Sequence, residues 1–166
     1  ALRKYRVSEL SKAPLLQLIL TSAIDACGED YGTAYDESAA CPRCGYGRVQ
    51  ASPLRFDLGK VPKRADFATT IARGEEIVVS ESVAQIMRDG RITGCKLDPI
   101  EDAGHRDSTG LWYQLLVTAQ AGETAPPTRF GLDFLQDDTE RQYVCDEHGL
   151  SGLNLVSEVF LRKEWV

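Results

Sequence analysis

The sequence predicts a mixed α/β or α+β domain, and three observations carry that expectation. "EEIVVS" (75–80) is a short β-branched apolar run, and "ESVAQIMRDG" (81–90) follows it with Val83, Ile86 and Met87 at helical spacing. "LWYQLLVTAQ" (111–120) has the β-branched and aromatic composition of a strand. "GLNLVSEVFLRKEWV" (152–166) repeats the earlier order, with an apolar run, then Ser157-Glu158, then Val159, Phe160 and Leu161. At 166 residues the chain fits a single domain spanning 1–166, which buries about two-thirds of its unfolded surface.

Along the chain, "LRKYRVSEL" (2–10) reads as a short strand with Tyr5 and Val7 on one face. "SKAPLLQLILTSAIDACG" (11–28) reads as a helix capped by Ser11, with Pro14 in its first turn and Gly28 past its end. "EDYGTAYDESAA" (29–40) is polar and loop-like. Pro53 and Pro62 make 48–67 extended and interrupted. Ser80 caps the helix that Gly90 stops, and "ITGCKLDPI" (92–100) is the next strand. "EDAGHRDSTG" (101–110) is a loop, "AGETAPPTRFG" (121–131) has turn composition, and "DFLQDDTERQYV" (133–144) leads into a second cysteine motif. The tripeptide "VSE" occurs at 7–9, 79–81 and 156–158.

Composition narrows the function. Hydrophobic residues make up 43% and charged residues 27%, ordinary for a soluble globular protein. The net charge of −6 disfavours nucleic acid as a partner, because phosphate binding needs surplus Lys and Arg. It would suit a basic protein partner, or serve solubility alone. "APLLQLILTSAIDA" (13–26) is shorter than the ~20 residues of a membrane span and lacks the pattern of a secretory leader. Five cysteines, an odd number without framework spacing, are expected to be reduced thiols in the cytoplasm.

Two of those cysteines stand in "CPRCG" (41–45), and about 100 residues later comes "CDEHG" (145–149). A Cys-x-x-Cys turn sets two thiolates one tetrahedral edge apart. A glycine after the second position permits the positive φ that turns amides toward the sulfurs. The second motif has the same spacing and glycine, with His148 in place of a thiol. Cys41, Cys44, Cys145 and His148 therefore form a Cys₃His set of the structural zinc kind, a knuckle or ribbon-like site joining an N-terminal to a C-terminal segment. The competing readings, among them plain unliganded buried cysteines, are weaker. A redox dithiol needs a helix starting at the pair, and "GYGR" follows instead. Catalytic zinc needs an open fourth position. A deaminase needs H-x-E and P-C-x-x-C, which are absent.

Other residues carry less. His105, between Asp102 and Asp107 with Ser108 nearby, is expected to be an exposed loop histidine, since no G-x-S-x-G elbow accompanies it. Glu147 is expected to be a solvated neighbour of the metal rather than a proton shuttle. Cys27 and Cys95 read as structural thiols, with Cys27 the substitute ligand should His148 not bind. The acidic groups Asp36-Glu37, Asp98 with Glu101-Asp102, and Asp137-Asp138-Glu140 are solvated loops, or an anionic surface if they share one face. Trp112 and Tyr113 are expected in the core, and Trp165 in core or interface.

The two motifs, with the intervening "GEEIVVSESVAQIMRDGRITGCKLDPI" (74–100), resemble bacterial proteins with a doubled CXXCG motif. That family includes the immunity partner of a myxobacterial toxin. The likeness covers about 60% of the chain, and His148 stands where the family pattern has cysteine. The resemblance implies a non-enzymatic, zinc-bearing immunity protein that neutralises a cognate toxin by binding it, the acidic balance steering it to a basic toxin. The alternatives are a zinc-ribbon adaptor for other proteins and an enzyme whose zinc is structural.

Overall fold

A computed structural model of the chain describes residues 5–13, 18, 20–71, 76–104, 111–119, 122, 125–128, 130–131, 144–150 and 154–155. The chain forms two compact units. One comprises Leu20–Gln120 with Arg141–Gly152, and the other Ala1–Ile19, Ala121–Glu140 and Leu153–Val166.

The first unit is built on a mixed five-stranded sheet. Its strands are β1 (Ala23–Ile24), β2 (Phe67–Thr70), β3 (Ile77–Ser80), β4 (Cys95–Pro99) and β5 (Trp112–Val117), in spatial order β1-β2-β3-β5-β4. β1 runs parallel to β2, and every other pair is antiparallel. Helix Glu81–Asp89 follows β3 directly. The α+β expectation holds, with both helices and strands in place.

The β3 run "IVVS" is apolar at consecutive positions because the centre of the sheet is covered on both faces. Val78 is fully buried with Ile24, Leu54, Phe56, Leu58, Val61 and Ala68, so the segment after the first cysteine pair covers that face. Val79, equally buried, packs with Val83 and Leu115 beneath the helix. Ser80 caps that helix as expected, its Oγ accepting the Val83 N–H at 3.4 Å while its hydroxyl donates to Asp66 at 2.9 Å. The helix buries Val83 and Ala84 and half-buries Met87, whereas Ile86 is 69% exposed. The expected stripe therefore holds at Val83 and Met87 but not at Ile86, and Ala84 is buried in its stead.

Two expectations for the N-terminal third are corrected. Val7–Leu10 is a single helical turn rather than a strand, held by the Arg6 N–H donating to the Glu9 carboxylate at 2.7 Å. It buries nothing, and Val7 is 82% exposed. Residues 20–27 are not helical: Ala23–Ile24 is a strand, and a 3-10 turn begins only at Gly28, spanning Gly28–Tyr31. Burial here alternates, with Ile24 and Ala26 inside and Ala23 and Asp25 outside, the two-residue period of an edge strand.

The 48–67 stretch is extended and interrupted, holding Val49–Gln50, Arg55–Phe56 and a 3-10 turn at Leu58–Lys60. β4 and β5 fall within the expected 92–100 and 111–120. Trp112 packs against one core cluster and Tyr113 against the other. In the second unit, Phe130–Gly131 pairs antiparallel with Asn154–Leu155. The expectations for 133–143, for the helix after Ser157 and for Trp165 lie outside the described residues. Among the described residues, no helix is long and apolar enough to cross a membrane.

Candidate metal centre

Two hairpins present the four expected ligands. In the first, Tyr35–Asp36 pairs antiparallel with Val49–Gln50, and the loop between them carries Cys41 and Cys44. In the second, Val144–Cys145 pairs with Gly149–Leu150, leaving Asp146, Glu147 and His148 as the turn.

The first loop is shaped by its own backbone. The Gly45 N–H donates to the Cys41 carbonyl at 2.8 Å and the Cys41 N–H to the Tyr46 carbonyl at 2.7 Å. Gly45 and Gly47 have φ of 74° and 90°, a region that L side chains rarely adopt. A Cβ on Gly47 would also stand 2.8 Å from the Ala39 carbonyl oxygen.

The base of this hairpin is fastened to the sheet. Gln50 and Gln114 exchange amide hydrogen bonds of 3.0 and 2.7 Å, joining it to β5. The Tyr35 hydroxyl donates to the Glu76 carboxylate at 2.5 Å. Glu76 is 1% exposed and also accepts the Gly28 N–H at 2.9 and 3.0 Å and the Thr70 hydroxyl at 2.6 Å. Three donors thus satisfy a carboxylate that would otherwise be costly to bury. Gly28 has to be glycine, because a Cβ there would lie 2.6–2.8 Å from Leu54, Thr33 and Glu76.

The donor atoms converge. Cys41 Sγ is 3.9 Å from Cys145 Sγ, while His148 Nδ1 is 3.5 Å from Cys44 Sγ and 3.6 Å from Cys145 Sγ. All four lie within 4.8 Å of one another, so the set could hold a metal ion. A tetrahedron with zinc–sulfur bonds of ~2.3 Å and zinc–nitrogen bonds of ~2.0–2.1 Å has edges of about 3.8 and 3.6 Å. The three separations given above fit those edges, and an S₃N set is the chemistry of zinc rather than of calcium or magnesium. No disulfide competes, since all five cysteines are free.

Electrostatics favour the thiolate at two of the four corners, Cys41 and Cys145. The Cys145 thiol is drawn down to about 6, first by the Glu147 backbone N–H and then by His148. Backbone N–H groups of Cys44 and Arg43 lower Cys41. At Cys44 the Tyr46 N–H pulls the thiol down, but burial and the neighbouring thiols outweigh it and leave it raised. His148 is raised by its hydrogen bond with Cys145. Backbone donors aimed at sulfur are what a thiolate–metal site needs.

Two further contacts cross between the hairpins, and neither was anticipated. Arg43 pairs with Asp146 at 3.4 Å, and the Tyr46 ring stacks on His148 with centroids 4.4 Å apart and planes inclined by 25°. The only hint of the second was an aromatic between the two glycines of "GYG". Arg48 lies over the Tyr35 ring and pairs with Glu29 and with Glu37.

The remaining candidates fall elsewhere. Glu147 is exposed in the second turn and reaches Cys145 through its backbone. Cys27 Sγ donates to Asp30 at 3.5 Å, outside the tetrad, and Cys95 is half-buried on β4. Asp102 accepts the Leu58 and Gly104 N–H groups at 3.2 and 2.9 Å. His105, Asp107, Ser108 and the 137–140 acidic group lie outside the described residues. No family model, curated protein or solved structure matches the chain.

Proposed function

We propose that this chain is a bacterial immunity protein, stapled by one structural zinc ion, that neutralises a cognate toxin by binding it directly. The observation that supports this reading most is the meeting of the two half-motifs in one four-donor cluster. These are the same two segments that carry the resemblance to the doubled-CXXCG proteins. Four protein donors fill a tetrahedral shell and leave no position for substrate or water, so in this non-enzymatic reading the ion's role is architectural. It joins two hairpins whose partner-facing surfaces must keep one shape. The net charge of −6 favours encounter with a basic toxin, and free thiols suit the reducing cytoplasm.

The test is co-expression with each candidate toxin found encoded beside its gene. A stable complex and restored growth are expected. A toxin that remains fully active, with no complex recovered, overturns the immunity reading and leaves the metal reading standing.

A further inference from the structure

Tyr46 touches three of the four donor residues. Its carbonyl accepts the Cys41 N–H at 2.7 Å, its own N–H donates to the Cys44 thiol, and its ring lies 4.4 Å from that of His148. The first two contacts belong to one hairpin and the third to the other. Tyr46 is 67% exposed, so it contributes little to any core. His148 is the exposed member of the tetrad and its one neutral ligand. An exposed imidazole on a three-residue turn is free to change rotamer unless something covers its face.

We propose that Tyr46 is the positioning residue of the metal centre: its ring holds the His148 imidazole with Nδ1 toward the thiols and so sets how slowly the ion leaves. This rests on the zinc reading above. The ion should depart through the His148 corner, since detaching a neutral, exposed ligand separates no charge. A stacked ring opposes that first detachment. Alanine at position 46 removes the ring yet keeps both backbone contacts, and phenylalanine keeps the ring while removing the hydroxyl.

Zinc release from the full chain into an excess of a chromophoric chelator reads the effect. Tyr46→Ala is expected to release zinc about two- to tenfold faster than wild type, the range of an aromatic stacking contact. Tyr46→Phe should match wild type, as should Val49→Ala, a control at an exposed position of the same hairpin. With cobalt in place of zinc, Tyr46→Ala should also alter the visible ligand-field bands, which report the donor geometry directly. Wild-type release rates in Tyr46→Ala overturn the proposal, and so does a Tyr46→Phe variant as fast as Tyr46→Ala. A wild-type chain that takes up no zinc overturns the metal reading itself, a result distinct from either.

Discussion

The sulfurs of Cys41 and Cys145 stand 3.9 Å apart although 104 positions of chain separate them. A bond made through a shared ion at this point closes most of the first unit into one loop. Cross-links that close loops of about 100 residues restrict the unfolded chain by roughly 4–5 kcal/mol in the chain-entropy treatment.

Removing a ligand should remove that restraint. Cys41→Ser and Cys145→Ser are each expected to abolish the one-to-one zinc content and lower Tm by about 10 °C. Elemental analysis beside a thermal melt checks both. A metal-free protein melting at the wild-type temperature contradicts the staple.

Acid should loosen the site in a defined window. Binding needs Cys145 as thiolate and His148 neutral. Cys145 is depressed to about 6, so above that pH it is already ionised and offers no proton to displace; below it, protons compete for the sulfur. His148, shifted upward, adds competition in the same direction. Apparent zinc affinity, measured against a competing chelator, should therefore fall more steeply with acidification below about pH 6 than above it. An unchanged slope through that region would contradict the assignment of Cys145 as a ligand.

Gly28→Ala tests the packing beneath the first hairpin. A methyl group here meets Leu54, Thr33 and Glu76 at 2.6–2.8 Å, and none of them is the tip of a free surface side chain. The expected loss is about 1–3 kcal/mol in urea unfolding, with zinc content unchanged. Wild-type stability would mean that the pocket around Gly28 can give.

Much of the site was readable from the chain because its determinants are local. Four residues of "CPRC" and four of "CDEH" each fix a turn, and the two turns bring together a donor set that could hold one metal ion. The strand–helix passage at 77–89 was readable for the same reason, with Ser80 and the apolar spacing close together. What escaped depends on distant partners. Ala23–Ile24 is a strand because β2, over 40 residues later, pairs with it at Ala23↔Thr69 and Ile24↔Thr70. Nothing in 11–28 announces that pairing, and its apolar residues satisfy a helical template equally well. Glu76 likewise reads as one of several acidic residues until Gly28, Tyr35 and Thr70 are seen around it.

The carboxylate of Glu76 separates the hairpin's foot from its tip. Tyr35 is moored there, and Gln50 to Gln114, by bonds that involve no ion. Stripping the metal should therefore leave the sheet and the root of the hairpin in register while the cysteine-bearing crest drifts from its counterpart. Such an apoprotein would be a folded body with one frayed corner, poised to be re-zipped by a single ion without refolding the whole.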